Sequence, residues 1–478
     1  MKPADAPRRS SSFAPINFEA DAAFLPVQGE LPAGLQGTLY RNGPNPQFPQ
    51  EGAHLFQGDG MLHAVTLQEG RARYRNRWVR THGWLAERAA GRSLYNAMGR
   101  PIDPEDPALP KVDNGVANTH VIAHAGRLLA LEEAHLPVEI DAATLRTLGT
   151  QDYGGRLQGT FTAHPKVDPA TGELLFFGYG ARGYFTPGMS VGSISAAGDV
   201  TRFEHFEAPF SSMVHDFAIT ENHMLFPVLP LTGSMDRAQS GRPPWAWEPE
   251  LGARVGIALR NGPVEDIRWF EGEACYVFHF MNAWEARAAN GHRLIQADVL
   301  QFEQPPLFPF VDGRPTDPQR AMARLVRWTF DLDGASNTFM QEPLDDLVGE
   351  FPRMDDRFAG RAHRHGWYAC QREGATAPGY EGIVHHDTQK GRRALYHVPL
   401  GDRLSEPVFV PRAADAPEGD GWVLAMATRT QEGRSDLLVL DAQDLAAGPV
   451  ATVQLSHRVP SGFHGSWIPG AALDLGDT

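Results

Sequence analysis

Apolar residues in this chain recur in short alternating runs separated by turn residues, not at helical spacing. The run over residues 211–231, SSMVHDFAITENHMLFPVLPL, shows the grammar. Val214, Phe217 and Ile219 form one apolar segment and Met224 to Leu231 a second, with Thr220, Glu221 and Asn222 between them, which predicts a β-hairpin. The same pattern holds over residues 37–48, 54–67, 117–141, 159–179 and 274–285 and through a series of short strands to residue 459. Only residues 84–95 have helical composition, and residues 98–114 read as a loop rich in Pro and Asp. About two dozen strands at regular spacing are too many for one sandwich and predict an all-β propeller of six or seven four-stranded blades. No internal repeat stands out, so the blades are expected to be irregular, with long loops on one face. Residues 1–14 are expected to form a disordered tail and residues 15–478 a single propeller domain.

Composition changes this picture little. The 49 glycines and 38 prolines fall as punctuation between apolar runs. The formal net charge of −15 argues against a nucleic-acid partner. Two cysteines in unlike contexts, Cys275 and Cys370, predict a reduced, cytoplasmic protein. No apolar run reaches the ~20 residues that span a bilayer, and no leader sequence is read at the N-terminus.

The candidate chemistry lies in histidines placed in or beside apolar strands: His164 in FTAHPKVD, His215 in MVHDFAIT, His279 in YVFHFMNAWE and His464 in GFHGSW. They are too dispersed for a local motif, but converge if each lies on the inner strand of a different blade. Four neutral imidazoles suit Fe, Cu, Ni or Zn. Ligand histidines usually donate their second N–H to a carboxylate or carbonyl, and Glu133, Glu350 and Glu406 stand in apolar settings that fit. The plain alternative is that each histidine is a satisfied core residue and each glutamate a solvated strand-end charge. Three rivals are weaker. GMSVG (residues 188–192) matches a serine-hydrolase elbow but continues as strand and turn. His363, His365, His385 and His386 offer a second metal site, and exposed loop histidines explain them better. A propeller that only binds a partner would need the four-histidine site to be empty.

The segments GTLYRNGPNPQF, FQGDGM, ANTHVIAHAGRLLALEE, FTAHPKVDPATGEL, MVHDFAIT, FHFMNAWE, EFPRMD, EPVFVPR, SDLLVLDA and GFHGSW, in this order, resemble the carotenoid cleavage oxygenase family, which includes the bacterial apocarotenoid and lignostilbene oxygenases. The resemblance runs from about residue 28 to 467. It implies a seven-bladed propeller under a loop-and-helix dome. It also implies Fe(II) held by His164, His215, His279 and His464, and Glu133, Glu350 and Glu406 bonded to three of them. Thr119 would crowd an open iron position, and Phe56 would lie beside the substrate. The implied reaction is dioxygenase cleavage, with O₂, of a C=C bond into two carbonyl products. Family members that isomerise an alkene or cut an ester keep those reactions in view.

The phenol-gripping Tyr and Lys of the lignostilbene- and isoeugenol-cleaving members are matched here by Met98 and Glu132. Neither suits a phenolate, so the expected substrate is a conjugated apolar carotenoid or apocarotenoid. A stilbene or phenylpropenoid such as resveratrol or isoeugenol is the alternative. The loops at residues 243–249 and 305–310, including Phe308 and Phe310, are expected to line the tunnel mouth or touch a membrane peripherally, or else to cover blade edges. The oligomeric state is not legible.

Overall fold

The computed structural model describes residues 12–50, 54–95, 102–111, 114–374 and 379–470. Met98 lies outside the described residues. The protein is a seven-bladed β-propeller, all-β as its alternation predicts. Among the described residues strand segments number 33, well above two dozen, because many are pieces of two or three residues.

The chain parts into two compact units. The first comprises Met1–Gly155, Gly379–Gly382 and Leu395–Thr478 and carries three of the blades. In one of them the strand Gly37–Pro44 pairs with Gly60–Gln68 on one side and with the C-terminal strand Gly465–Pro469 on the other. That pairing joins the two ends of the chain. The second unit, Arg156–Pro378 with Ile383–Ala394, carries four blades. Each blade is an antiparallel meander, so nearly every connection is a hairpin turn. The strand Arg71–Trp78 shows why these sequences form blades: Ala72, Tyr74 and Asn76 are buried, and the arginines between them are not.

Turn chemistry follows the sequence. Ala125 and Gly126, at φ 50° and 74°, close the hairpin between His120–His124 and Arg127–Leu131, the backbone sign of a type I′ turn. The hairpin read over residues 211–231 is present but shorter than expected. Ala218–Ile219 pairs with His223–Val228, which leaves His215 in irregular chain before the strand. The helix expected over residues 84–95 is His82–Ala90. Thr81 caps its start by accepting from the Trp84 N–H, and Gly91 ends it in the left-handed region. Among the described residues the one other α-helix is Met235–Gln239. Ser12 and Ala14 are tied down, since their carbonyls accept from Arg458. Cys275 and Cys370 are both buried, and no helix among the described residues is long and apolar enough to cross a membrane.

Asp59, in the Gly-Asp-Gly turn before the strand Gly60–Gln68, is only 9% exposed. Burial pushes its pKa up to about 7 against the bond from the Gln47 N–H, and the Glu87 carboxylate pushes the same way as burial. The unfolded carboxyl ionises near 3.8, so between these values the folded state alone keeps the proton and stability falls as pH rises. Asp59→Asn cannot ionise. It is expected to raise stability at pH 8, by on the order of 4 kcal/mol at most, and to have little effect below pH 4. Urea unfolding at the two pH values checks this; equal effects at both would contradict it.

Candidate metal centre

Three of the histidines come together within the four-blade unit. His164 lies in a bend before the short strand Lys166–Val167, and its N–H donates to Thr162 Oγ1 at 2.9 Å. His279 lies in the strand Tyr276–Arg287, where the register breaks on either side of Phe280. Such bulges re-aim side chains beside active sites. His215 Nε2 is 3.1 Å from His164 Nε2 and 3.1 Å from His279 Nε2. All three histidines are at most 8% exposed.

The tautomer at His279 is fixed by its partner. Its Nδ1 is 2.5 Å from Glu350 Oε2, which also accepts from the Phe351 N–H. A carboxylate has no proton to give, so Nδ1 carries the proton and Nε2 presents a lone pair. Neutral nitrogens crowded at 3.1 Å suit a shared cation. Two nitrogens about 2.1 Å from one ion, at a near right angle, stand about this far apart. The donor set therefore fits a divalent transition metal. Phe351 stacks on the His279 ring at 5.6 Å and Phe278 meets His215 edge-on at 5.2 Å, so the rings are packed in apolar surroundings.

His464, in the three-blade unit, repeats the arrangement. Its Nδ1 is 2.9 Å from Glu406 Oε1, and the other oxygen accepts from the Gly465 N–H at 2.9 Å. The His464 N–H donates to the carbonyl of Thr119 at 3.1 Å. Thr119 Oγ1 in turn donates to Asn118 Oδ1, and Asn118 holds the Phe56 carbonyl. Phe56 meets Phe463 edge-on at 5.7 Å. Four residues picked from the sequence (Phe56, Thr119, Glu406 and His464) thus form one connected cluster. Glu133 is half-buried just past the strand Arg127–Leu131.

The sequence reading missed Arg41, a cation 5% exposed whose Nη2 reaches the Phe463 carbonyl at 3.4 Å. Burial pulls its pKa down to about 10, and the Glu406 carboxylate works the other way. An arginine inside the otherwise uncharged strand Gly37–Pro44 was the available signal.

The family model described as retinal pigment epithelial membrane protein matches residues 13–469. The chain belongs to this family, the carotenoid cleavage oxygenases. It is similar to the isoeugenol monooxygenase of Pseudomonas nitroreducens, 39% identical over 473 residues that cover 97% of this chain and 98% of the relative. The lignostilbene-α,β-dioxygenase isozyme III of Sphingomonas paucimobilis is 35% identical over 477 residues, covering 96% of each. The crystal structure of Pseudomonas brassicacearum lignostilbene dioxygenase superposes with a TM-score of 0.92 at 36% identity, covering 97% of this chain and 98% of that one. As a carotenoid cleavage oxygenase the protein is an oxidoreductase that incorporates O₂, from a family of non-haem iron enzymes that cleave alkenes.

Glu132, Phe308, Phe310 and the histidines at 363, 365, 385 and 386 stand in settings other than those read from the sequence. Glu132 does not present a spare carboxylate. Its Oε1 accepts from the Val116 N–H at 2.6 Å and the Ala117 N–H at 3.2 Å, and pairs with His135 Nδ1 at 3.0 Å. Burial opposes ionisation, but the His135 charge and hydrogen bond, with the two backbone donors, hold the carboxyl below its usual range. Glu132→Ala is expected to lose ~1–3 kcal/mol for each backbone donor left buried and unpaired. Urea unfolding measures this, and unchanged stability would restore a role confined to substrate.

Phe308 is 8% exposed and Phe310 is half-buried under the Arg314 guanidinium, so neither forms an outward apolar tip. That position belongs to Leu307, at φ 70° and 60% exposed. His363, His365, His385 and His386 are not exposed loop residues: His363 and His386 are buried, and the other two half-buried on neighbouring strands. His365 Nδ1 bonds His385 Nε2 at 2.8 Å. Ser190 lies mid-strand in the buried Gly188–Ile194, with no strand-to-helix elbow.

Proposed function

We propose that His164, His215, His279 and His464 hold one ferrous ion, and that the protein cleaves the C=C bond of an aryl-conjugated alkene, a phenylpropenoid or stilbene, into two carbonyl products with O₂. The observation that carries the metal assignment is the set of converging Nε2 atoms 3.1 Å apart, with Glu350 fixing the tautomer of one ring. Glu406 supports His464 in the same way. When bound, the iron would supply O₂ activation. The protein's residues orient the alkene and keep the site dry. No carboxylate is among the four ligands, which keeps the ion's charge undiminished and favours an electron-rich alkene. Glu133 is assigned to a further histidine by family resemblance alone.

An aryl alkene takes precedence over the apocarotenoid first expected. The extensive identity to an isoeugenol monooxygenase and a lignostilbene dioxygenase supports it. Glu132 Oε1 is engaged with two backbone N–H groups and His135, so that oxygen is not offered to a substrate. Phe56, which the family resemblance places beside the substrate, packs edge-on against Phe463. The test is a competition among isoeugenol, resveratrol and an apocarotenal with Fe(II)-loaded protein, products read by mass spectrometry. Preferential formation of an aryl aldehyde supports the assignment. Preferential cleavage of the apocarotenal would overturn it.

A further inference from the structure

One carboxylate ties together the three segments that carry His164, His215 and His279. Asp216 directly follows His215 and is 2% exposed. Its Oδ1 accepts from Lys166 Nζ at 2.7 Å and from the Phe217 N–H at 2.8 Å. Its Oδ2 accepts from the Phe280 N–H at 2.9 Å. Lys166 stands two residues after His164, and Phe280 directly follows His279. Each of these contacts therefore fixes the chain within two residues of a histidine of the cluster.

The backbone explains why the carboxylate is needed. In Tyr276–Arg287 the register shifts both before and after Phe280, so the ladder is interrupted where His279 is aimed. An N–H in such a break must find an acceptor elsewhere, and Asp216 is that acceptor. Burying a carboxylate is costly unless it is paired and its oxygens are satisfied. Lys166 supplies the charge, and its ammonium also sits 5.9 Å from the Phe217 ring centroid.

We propose that Asp216, with Lys166 as its counter-charge, is a positioning residue that sets the spacing of the three histidines for the metal ion. The proposal rests on reading those histidines as ligands. It assigns to the Lys166–Asp216 pair a share of metal affinity rather than of fold stability alone. Ligands held near their final positions before the ion arrives bind it more tightly than ligands that must be ordered by it.

The test uses the metal-free full-length protein titrated anaerobically with Co(II), whose d–d absorption reports ligand geometry. Lys166→Met keeps the apolar stem and removes the charge. It is expected to weaken Co(II) binding ~10-fold and to shift the d–d bands. Lys166→Arg, which keeps the charge, restores most of the affinity and the wild-type spectrum. Arg293→Met, which breaks the surface pair with Asp333, changes neither. Asp216→Asn, with folding checked by circular dichroism, weakens binding further, towards ~100-fold. Wild-type affinity and spectrum in Lys166→Met would overturn the clamp, as would equal losses in the Met and Arg variants. Failure of the wild type to bind Co(II) would overturn the ligand reading itself, and the clamp with it.

Discussion

His215→Ala is expected to abolish metal loading and to lower turnover by on the order of 10³-fold or more. His215 Nε2 stands between those of His164 and His279, 3.1 Å from each, so its loss removes the nitrogen that the other two share as a neighbour. Alanine leaves a cavity where a ring met Phe278 edge-on. That costs stability as well, so a thermal melt must accompany the metal analysis. The result that bears on the site is iron content by mass spectrometry in protein that still melts cooperatively. Iron content and turnover both at wild-type level would remove His215 from the centre.

Glu350 gives the second large effect, and two substitutions separate its roles. Both the His279 Nδ1–H and the Phe351 N–H donate to one oxygen, Oε2. Glu350→Gln can keep an oxygen there while losing the negative charge that raises the basicity of the ring. It is expected to weaken metal binding ~10–100-fold and leave stability nearly unchanged. Glu350→Ala removes the acceptor altogether and leaves one buried and one part-buried donor without it. It is expected to lose metal and ~1–3 kcal/mol per unpaired group. Metal titration and urea unfolding of the two variants distinguish these outcomes. If Gln and Ala lower affinity by the same factor, the charge rather than the hydrogen bond governs the ligand. If neither lowers affinity, Glu350 does not support a ligand at all.

The strands and the histidines were legible for different reasons. Period-two alternation such as that of Arg71–Trp78 is a local signal, and the turn residues between runs fixed most hairpins. His279 and Glu350 could be picked out because each is a titratable group in an apolar stretch. Their pairing could be expected from family resemblance, but local sequence does not encode contacts across 71 residues. Side-chain direction past a strand end was harder to read. The strand Arg127–Leu131 stops one residue before Glu132, whose carboxylate then folds back onto the Val116 and Ala117 N–H groups. In the loop at 305–310 the positive φ of Leu307 turns that residue outward while Phe308 packs in. A Pro-rich string of apolar residues does not show which of them faces solvent. Asp216 was visible beside His215, yet its role needed the break in register at Phe280, a feature of pairing between strands.

This carotenoid cleavage oxygenase is proposed to split an aryl-conjugated alkene with iron and O₂ at the histidine cluster. The most direct test is anaerobic reconstitution with Fe(II), addition of isoeugenol, then admission of O₂ with products followed by mass spectrometry. An aryl aldehyde and its partner carbonyl fragment are expected only when iron and O₂ are both present, and none with His215→Ala. Cleavage that proceeds equally without iron, or a wild-type protein that takes up no metal, would contradict it.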